Sequence, residues 1–184
     1  MAKGDLVHED DPSKKGGFSL PDVDFSALLE ALLEQRYSFP LTAKGWSMLP
    51  SIRDGDVITI SSVTDPEIAV GTPVVFRWPR TKMLFVHRIL AKSQDRYLMK
   101  GDRVFKSDGF IPRKSILGVV TRVERHGKKV AWGLGGERHL LTFLSRTRIL
   151  YFLFETWKII PASIRSFLRR RLVFGKVLER ILKR

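Results

Sequence analysis

The stretch MLFVHRIL, Met83–Leu90, decides the fold class that we predict for this chain. It is short and rich in apolar, aromatic and β-branched residues, which is typical of a β-strand. Similar runs lie on either side of it: Val57–Ile60, Pro73–Trp78, Tyr97–Met99 and Ile116–Val123. Asp-Gly, Asp-Pro, Pro-Arg and Gly-Asp turn signals separate them. Because these strands follow one another with no long helix between them, we predict a mainly β protein with a coiled antiparallel sheet or barrel-like domain.

Length and composition limit the domain organisation. The 184 residues, 43% of them hydrophobic and 28% charged, can bury one substantial core but not two. We predict a flexible acidic segment over residues 1–20, an amphipathic helix over 21–38, the β domain over 39–133 and a basic, amphipathic helical region over 137–184. We predict the first helix because apolar residues recur there at helical spacing, namely Phe25, Leu28, Leu29, Leu32 and Leu33. A hairpin turn at Gly127–Lys129, leading into Val130–Trp132, is expected to close the β domain.

The charge of +14 is distributed unevenly along the chain. Residues 1–34 hold 3 Lys/Arg against 8 Asp/Glu, a net charge of −5, whereas residues 137–184 hold 12 against 3, a net charge of +9. The stretch Ala162–Lys183 predicts a basic amphipathic helix, and the apolar segment before it is rich in aromatic residues. We therefore expect residues 139–184 to contact an anionic membrane surface. The alternatives are a helix that covers the β domain with its basic face in water, and, less favoured, a nucleic-acid contact.

Several other chemistries are disfavoured by the sequence. The absence of cysteine removes disulfides and thiolate metal sites, and the four histidines form no His-x-x-x-His or Glu-x-x-His pair, so we expect no metal and no cofactor. Met1–Asp5 does not begin a signal peptide, and the most apolar window, Leu140–Ile160, contains four charged residues. The predicted location is therefore the cytoplasm, with peripheral attachment to the inner face of the membrane.

Three separated motifs carry candidate chemistry. They are Ser47–Ser51 followed by Asp54–Asp56, then Val86–Ile89, then Lys100–Asp102 with Asp108 six residues further on. In residue type and order they resemble the type I signal peptidase family, in particular the branch that uses a histidine base. The resemblance covers about residues 45–120 and implies a serine peptidase.

The resemblance implies a role for each polar residue. Ser47 is the expected nucleophile and His87 the base, because a serine hydroxyl attacks poorly until a neighbouring group accepts its proton. Asp108 is expected to orient the imidazole, and Asp102 to have a supporting or structural role. The alternative lysine base is less favoured, because Lys82 and Lys92 lie off the position of His87.

The oxyanion and substrate contacts are also predicted. The family often has a small hydroxyl residue where this chain has Gly45, so the oxyanion is expected to rest on backbone N–H groups, those of Ser47 and Gly45. Met48 and Pro50 are the expected substrate-binding residues. A further departure from the family pattern is Val104, where asparagine is usual.

The expected function is an endopeptidase that hydrolyses a leader or signal peptide bond in a precursor peptide or protein. The segment before Ser47, Phe25–Arg36, is too short and too charged for the membrane anchor that signal peptidases usually carry. A leader of a cytoplasmic precursor therefore fits better than an exported signal peptide. Two alternatives stay open: a self-cleaving peptidase of the phage-repressor type, and an inactive domain that binds membrane or nucleic acid through its basic tail.

Overall fold

An antiparallel sheet of eight strands forms the body of the computed structural model, which describes residues 23–63, 68–79, 81, 83–130 and 132–159. The strands are β1 (Phe39–Thr42), β2 (Val57–Ser62), β3 (Pro73–Arg77), β4 (Leu84–Ser93), β5 (Arg96–Lys100), β6 (Gly109–Pro112), β7 (Ile116–Arg125) and β8 (Lys128–Lys129). Their order across the sheet is β1-β2-β7-β3-β4-β5-β6, with β8 paired to β7. The predicted mainly β fold is confirmed, as an open sheet rather than a closed barrel over the described residues.

The five apolar runs found in the sequence correspond to β2, β3, β4, β5 and β7. Two strands of four residues, β1 and β6, were not among those runs, and each contains a proline. The predicted hairpin is displaced: His126 and Gly127 both have positive φ and form the turn, so that Lys128 pairs with Arg125 and β8 ends at Lys129. Trp132 lies in a later turn and not in this hairpin.

Strand β4 is buried from Leu84 to Leu90 because both faces of the sheet are covered there. Successive side chains of a strand point to opposite faces. Leu84 and Val86 enter one hydrophobic cluster with residues of β2, β7 and the turn after β1, whereas Phe85 and Ile89 enter a second cluster with residues of β3, β5 and β6. His87 and Arg88, which lie between Val86 and Ile89 in this strand, are therefore also buried, and their side chains point to opposite faces of the sheet.

Helix α1 (Val23–Glu34) packs on the first of these clusters. Leu29 and Leu33 are 1% and 3% exposed and lie in that cluster, while Leu28 points to solvent. Glu30 also forms an ion pair with Arg77 at the end of β3. The helical periodicity recognised in the sequence thus corresponds to a helix that covers the sheet.

Two further helices follow the sheet: α2 (Arg138–Arg146) and α3 (Ile149–Ile159), joined by a turn in which Arg148 has a φ of 62°. The predicted basic helix Ala162–Lys183 and the acidic segment 1–20 lie outside the described residues. No helix within the described ranges is long and apolar enough to cross a membrane.

Gly118 in β7 is required by close packing, and we expect Gly118→Ala to lower the free energy of unfolding by about 1–3 kcal/mol. A Cβ at this position would lie 2.6 Å from Ile60 Cγ2 and 2.8 Å from the Ser61 carbonyl oxygen, and the backbone cannot move aside cheaply. Urea denaturation monitored by circular dichroism measures the change. Gly136→Ala, where a Cβ meets nothing within 4 Å, is the matched control and should change stability by less than about 0.5 kcal/mol. Equal effects of the two substitutions would contradict this account.

Candidate active site

Ser47 lies in a turn that hydrophobic anchors hold against the sheet. Met48 and Ile52 are 4% and 3% exposed and belong to the first core cluster, and the Ile52 N–H donates to the Met48 carbonyl at 3.0 Å. Trp46 points to solvent, and Ser47 between these environments is half-buried. The alternation of anchored and exposed residues places Ser47 between the hydrophobic core and solvent.

His87 lies in the middle of β4 with its imidazole almost fully buried. Its Nδ1 is 2.6 Å from Asp108 Oδ2, and the rings of Phe76 and Phe85 lie 6.0 Å away, centroid to centroid. Its Nε2 has no hydrogen-bond partner among the described residues. The ring therefore has one nitrogen oriented by a carboxylate and the other available for a proton.

Gly101 brings the Ser47 turn and the His87 ring together. A Cβ on Gly101 would lie 2.8 Å from the Ser47 carbonyl oxygen and 3.0 Å from His87 Nε2, so both groups approach the same glycine. The next loop residue also contacts the turn, because the Arg103 N–H donates to the Ser47 carbonyl at 2.8 Å. The Ser47 backbone, His87 and Asp108 thus lie close together, although they come from a turn, a strand and a loop that are distant in sequence. The Ser47 hydroxyl does not hydrogen-bond to His87 Nε2 in this structure.

Asp102 does not contact His87 but forms a buried ion pair with Arg88. Arg88 Nε lies 2.8 Å from Asp102 Oδ1, and Nη2 lies 2.6 Å from Oδ2, a bidentate arrangement in which both side chains have no exposed surface. Charge-assisted bidentate pairs are among the strongest and most directional polar contacts in proteins. The two aspartates proposed from the sequence therefore occupy separate environments.

The remaining donors of Arg88 connect three other segments. Nη1 donates to the carbonyl oxygens of Gly71 at 2.7 Å and Gly133 at 3.0 Å, and Nη2 donates to Ser51 Oγ at 3.0 Å. Ser51 Oγ lies in turn 2.7 Å from Asp102 Oδ2. The Arg88 guanidinium therefore ties the turn that contains Ser47 and Ser51 to the loop before β3 and to the turn before α2.

The predicted oxyanion and substrate residues are placed as follows. The Gly45 N–H donates to Asp54 Oδ1 at 2.7 Å, and Gly45 has a φ of 90° that favours glycine. Of the two predicted backbone donors, this leaves the Ser47 N–H as the candidate for an oxyanion. Met48 and Pro50 are buried, and their contacts in this structure are with the protein interior.

Lys100 lies close enough to Asp102 and Asp108 for both carboxylates to influence its pKa. Its side chain is buried, and its Nζ donates to the Ser145 carbonyl oxygen at the end of α2. Burial lowers the pKa of Lys100 below its ordinary value, with a smaller contribution in the same direction from Arg148, while Asp102 and Asp108 oppose the shift. Lys92 lies instead with its Nζ 5.9 Å from the Tyr97 ring centroid, and Lys82 is outside the described residues.

Two residues important to this site, Arg88 and Gly101, were part of the sequence motifs but had no role assigned. An arginine inside an otherwise apolar strand was the available signal for Arg88, because a buried charge requires a partner. Gly101 gave no comparable signal, since its role depends on the approach of Ser47 and His87. Over the residues that the structure describes, no group of three His, Asp or Glu side chains is arranged as a metal site.

The open antiparallel sheet with its few helices is consistent with a β-rich peptidase domain. The Peptidase S24-like family matches residues 11–121, which include Ser47, His87 and Asp108. The chain belongs to this family and has its serine peptidase fold. No curated protein matches the chain significantly.

The substitution Asp102→Asn is expected to lower the free energy of unfolding by about 3–5 kcal/mol, because it leaves the Arg88 charge buried and unpaired. The same chemical change at Asp108, which is partly exposed, should cost only about 1 kcal/mol. Denaturant midpoints of the two variants measure the difference. If Asp102→Asn does not fold, the double substitution Arg88→Met/Asp102→Leu should recover soluble protein, since it removes both charges together. Equal stability of Asp102→Asn and Asp108→Asn would contradict this assignment.

Glu137 holds the turn that Arg88 contacts, and it should make stability depend on acidic pH. Its Oε1 accepts the N–H groups of Gly133 at 2.7 Å and Gly135 at 3.0 Å. Hydrogen bonds from its own backbone N–H and from these two glycines lower its pKa below the ordinary value of 4.5. The unfolded state therefore binds the proton first, and the stabilisation is complete above pH 4.5 and is lost as the pH falls through the lower folded-state pKa.

Glu137→Gln should accordingly be less stable than wild type at neutral pH, with the difference shrinking as the pH falls below about 4.5. Urea unfolding between pH 7 and pH 3 measures this. Glu34→Gln, at an exposed position on α1, is the control and should leave the pH profile unchanged. A stability difference that stays constant over this pH range would be inconsistent with the Glu137 hydrogen bonds described above.

Proposed function

We propose that this chain is a serine endopeptidase that removes a leader segment from a precursor peptide or protein. The observation that carries the proposal is the geometry of His87: Nδ1 meets Asp108 Oδ2 at 2.6 Å, while Nε2 has no partner among the described residues and lies at the glycine that also contacts the Ser47 carbonyl. A nucleophile, a base and a carboxylate that orients the base are the three components of this kind of hydrolysis.

The proposed chemistry follows from the tautomer that Asp108 imposes. A carboxylate only accepts hydrogen bonds, so Nδ1 of the neutral ring must carry the proton and Nε2 must present its lone pair. Nε2 accepts the Ser47 hydroxyl proton as Ser47 Oγ attacks the scissile carbonyl. The imidazolium then returns that proton to the leaving amine, and water hydrolyses the acyl-enzyme with His87 again acting as base.

Transition-state stabilisation is assigned to the Ser47 backbone N–H. The Gly45 N–H is already bonded to Asp54, so the oxyanion has fewer local donors than a site in which both amides are free. Removing one oxyanion donor costs roughly 10²–10³ in rate in a serine protease. We therefore propose slow turnover, which suits an enzyme that processes each precursor once.

Cleavage within the chain itself is the second candidate function, and the Peptidase S24-like match supports it as well as cleavage of a separate precursor. The two differ in kinetic order. When a chain cleaves itself, the fraction cleaved per unit time does not depend on protein concentration. When one molecule cleaves another, that fraction rises with concentration. Incubation of the purified full chain at several concentrations, followed by mass spectrometry, separates them.

The activity test compares wild type with Ser47→Ala and His87→Ala on a diverse peptide mixture, with new termini detected by mass spectrometry. We expect wild type to cleave, and each variant to lose at least about 10³-fold in rate, because either loss removes the attacking pair. Ser93, the last residue of β4, is exposed, so Ser93→Ala is the matched control and should retain wild-type activity.

Circular dichroism spectra and denaturant midpoints establish that the inactive variants are folded. Cleavage that persists in folded Ser47→Ala would reject Ser47 as the nucleophile. Absence of cleavage by wild type, both in the mixture and within its own chain, would favour the third alternative, an inactive peptidase-like domain.

A further inference from the structure

Helix α2 buries Leu141 and two polar side chains but leaves two large apolar side chains exposed. The residues that it buries include Thr142 and Ser145 at 7% and 0% exposure, and the Ser145 carbonyl oxygen receives the Lys100 ammonium. Leu140 and Phe143 are 52% and 60% exposed. A helix at a water-exposed surface normally turns its large apolar residues inward. This arrangement leaves two of them outside although polar residues of the same helix are buried.

Helix α3 continues the same pattern. Leu150 is buried, but Ile149, Phe152 and Leu153 are 40%, 55% and 51% exposed, at the i, i+3 and i+4 positions of one helix face. Single exposed apolar residues are ordinary, whereas several on consecutive helices indicate a contact surface. Among the side chains that the structure describes on α2 and α3, we call the exposed large apolar ones the apolar face: Leu140, Phe143, Ile149, Phe152 and Leu153.

Cationic residues accompany the apolar face. Arg146 at the end of α2 and Arg148 in the turn before α3 are both exposed. Residues 137–184 carry 12 Lys/Arg against 3 Asp/Glu, a net charge of +9. Large aliphatic and aromatic side chains beside arginines fit an interface that is apolar inside and anionic at its surface.

We infer that the apolar face is a docking surface for an anionic lipid membrane, on which α2 and α3 lie in the plane of the headgroups. Its apolar side chains would enter the acyl boundary while Arg146 and Arg148 meet lipid phosphates. A nucleic acid would also attract the arginines, but it offers little contact to Leu140, Ile149 and Leu153, because bases are bound mainly by aromatic stacking and phosphates by charge. The chemistry therefore favours lipid.

This inference does not depend on peptidase activity, and its test does not measure cleavage. The full-length chain is mixed with large vesicles of phosphatidylcholine containing phosphatidylglycerol, and the bound fraction is measured by co-sedimentation. We expect binding that falls with added salt and is weaker on vesicles of phosphatidylcholine alone, because both the apolar side chains and the arginines contribute.

Matched variants assign binding to the apolar face. Leu153→Ser should lower the vesicle partition coefficient by about tenfold or more, whereas Leu28→Ser, a leucine of α1 with 53% exposure, should leave it unchanged. Arg146→Gln should lower it by roughly fivefold, and Lys129→Gln, which makes the same charge change at an exposed position of β8, should have a smaller effect. Phe143→Ser is the substitute if Leu153→Ser does not fold.

Three outcomes would overturn the inference. The first is no vesicle binding by the folded wild type. The second is an equal loss of binding in Leu153→Ser and Leu28→Ser. The third is that the apolar face binds duplex DNA or a second copy of the chain. In that case Leu153→Ser would abolish DNA binding or concentration-dependent dimerisation and leave vesicle binding unchanged.

Discussion

The buried pair between Arg88 and Asp102 is the interaction on which the arrangement of the candidate site depends. Removing both charges from water costs several kcal/mol, and even a bidentate contact in the interior recovers that cost only in part. The pair is therefore not explained by stability alone. Its geometric effect is clear: one guanidinium connects the loop after β5, the Ser47–Ser51 turn, the loop before β3 and the turn before α2.

The alternation of side chains along β4 explains why the two aspartates have different partners. His87 and Arg88 are adjacent and point to opposite faces of the strand. A loop that follows β5 crosses the end of both faces and supplies one carboxylate to each: Asp102 to the arginine and Asp108 to the histidine. An ion pair buried on one face thus anchors the loop whose far end orients the imidazole on the other face.

The sequence predicted most of the sheet, because those strands are runs of apolar, aromatic and β-branched residues between turn signals. It did not predict β1 and β6, in which Pro40 and the Gly109–Pro112 ends interrupt such a run, and each of these strands pairs with a longer one. The hairpin was displaced because His126 adopts a left-handed conformation, which is uncommon for any residue other than glycine.

The candidate site was predictable to the level of residue types and order, through its resemblance to a known family, but not to the level of contacts. Gly101 is a clear case. Its importance comes from three groups that approach it from a turn, a strand and its own loop, and no local pattern encodes that approach. The Asp54 contact that occupies the Gly45 N–H is likewise visible only once the chain is folded.

Phe105 gives the loop between Asp102 and Asp108 a second attachment. Its ring packs edge-on against Tyr151 and Phe152 of α3, 5.2 and 6.3 Å between centroids, and the Arg148 guanidinium lies 4.3 Å from it. The loop is thereby fixed to the domain interior at one end and to a peripheral helix in its middle. Because Phe105 lies three residues before Asp108, a displacement of α3 would also shift the loop whose carboxylate contacts His87.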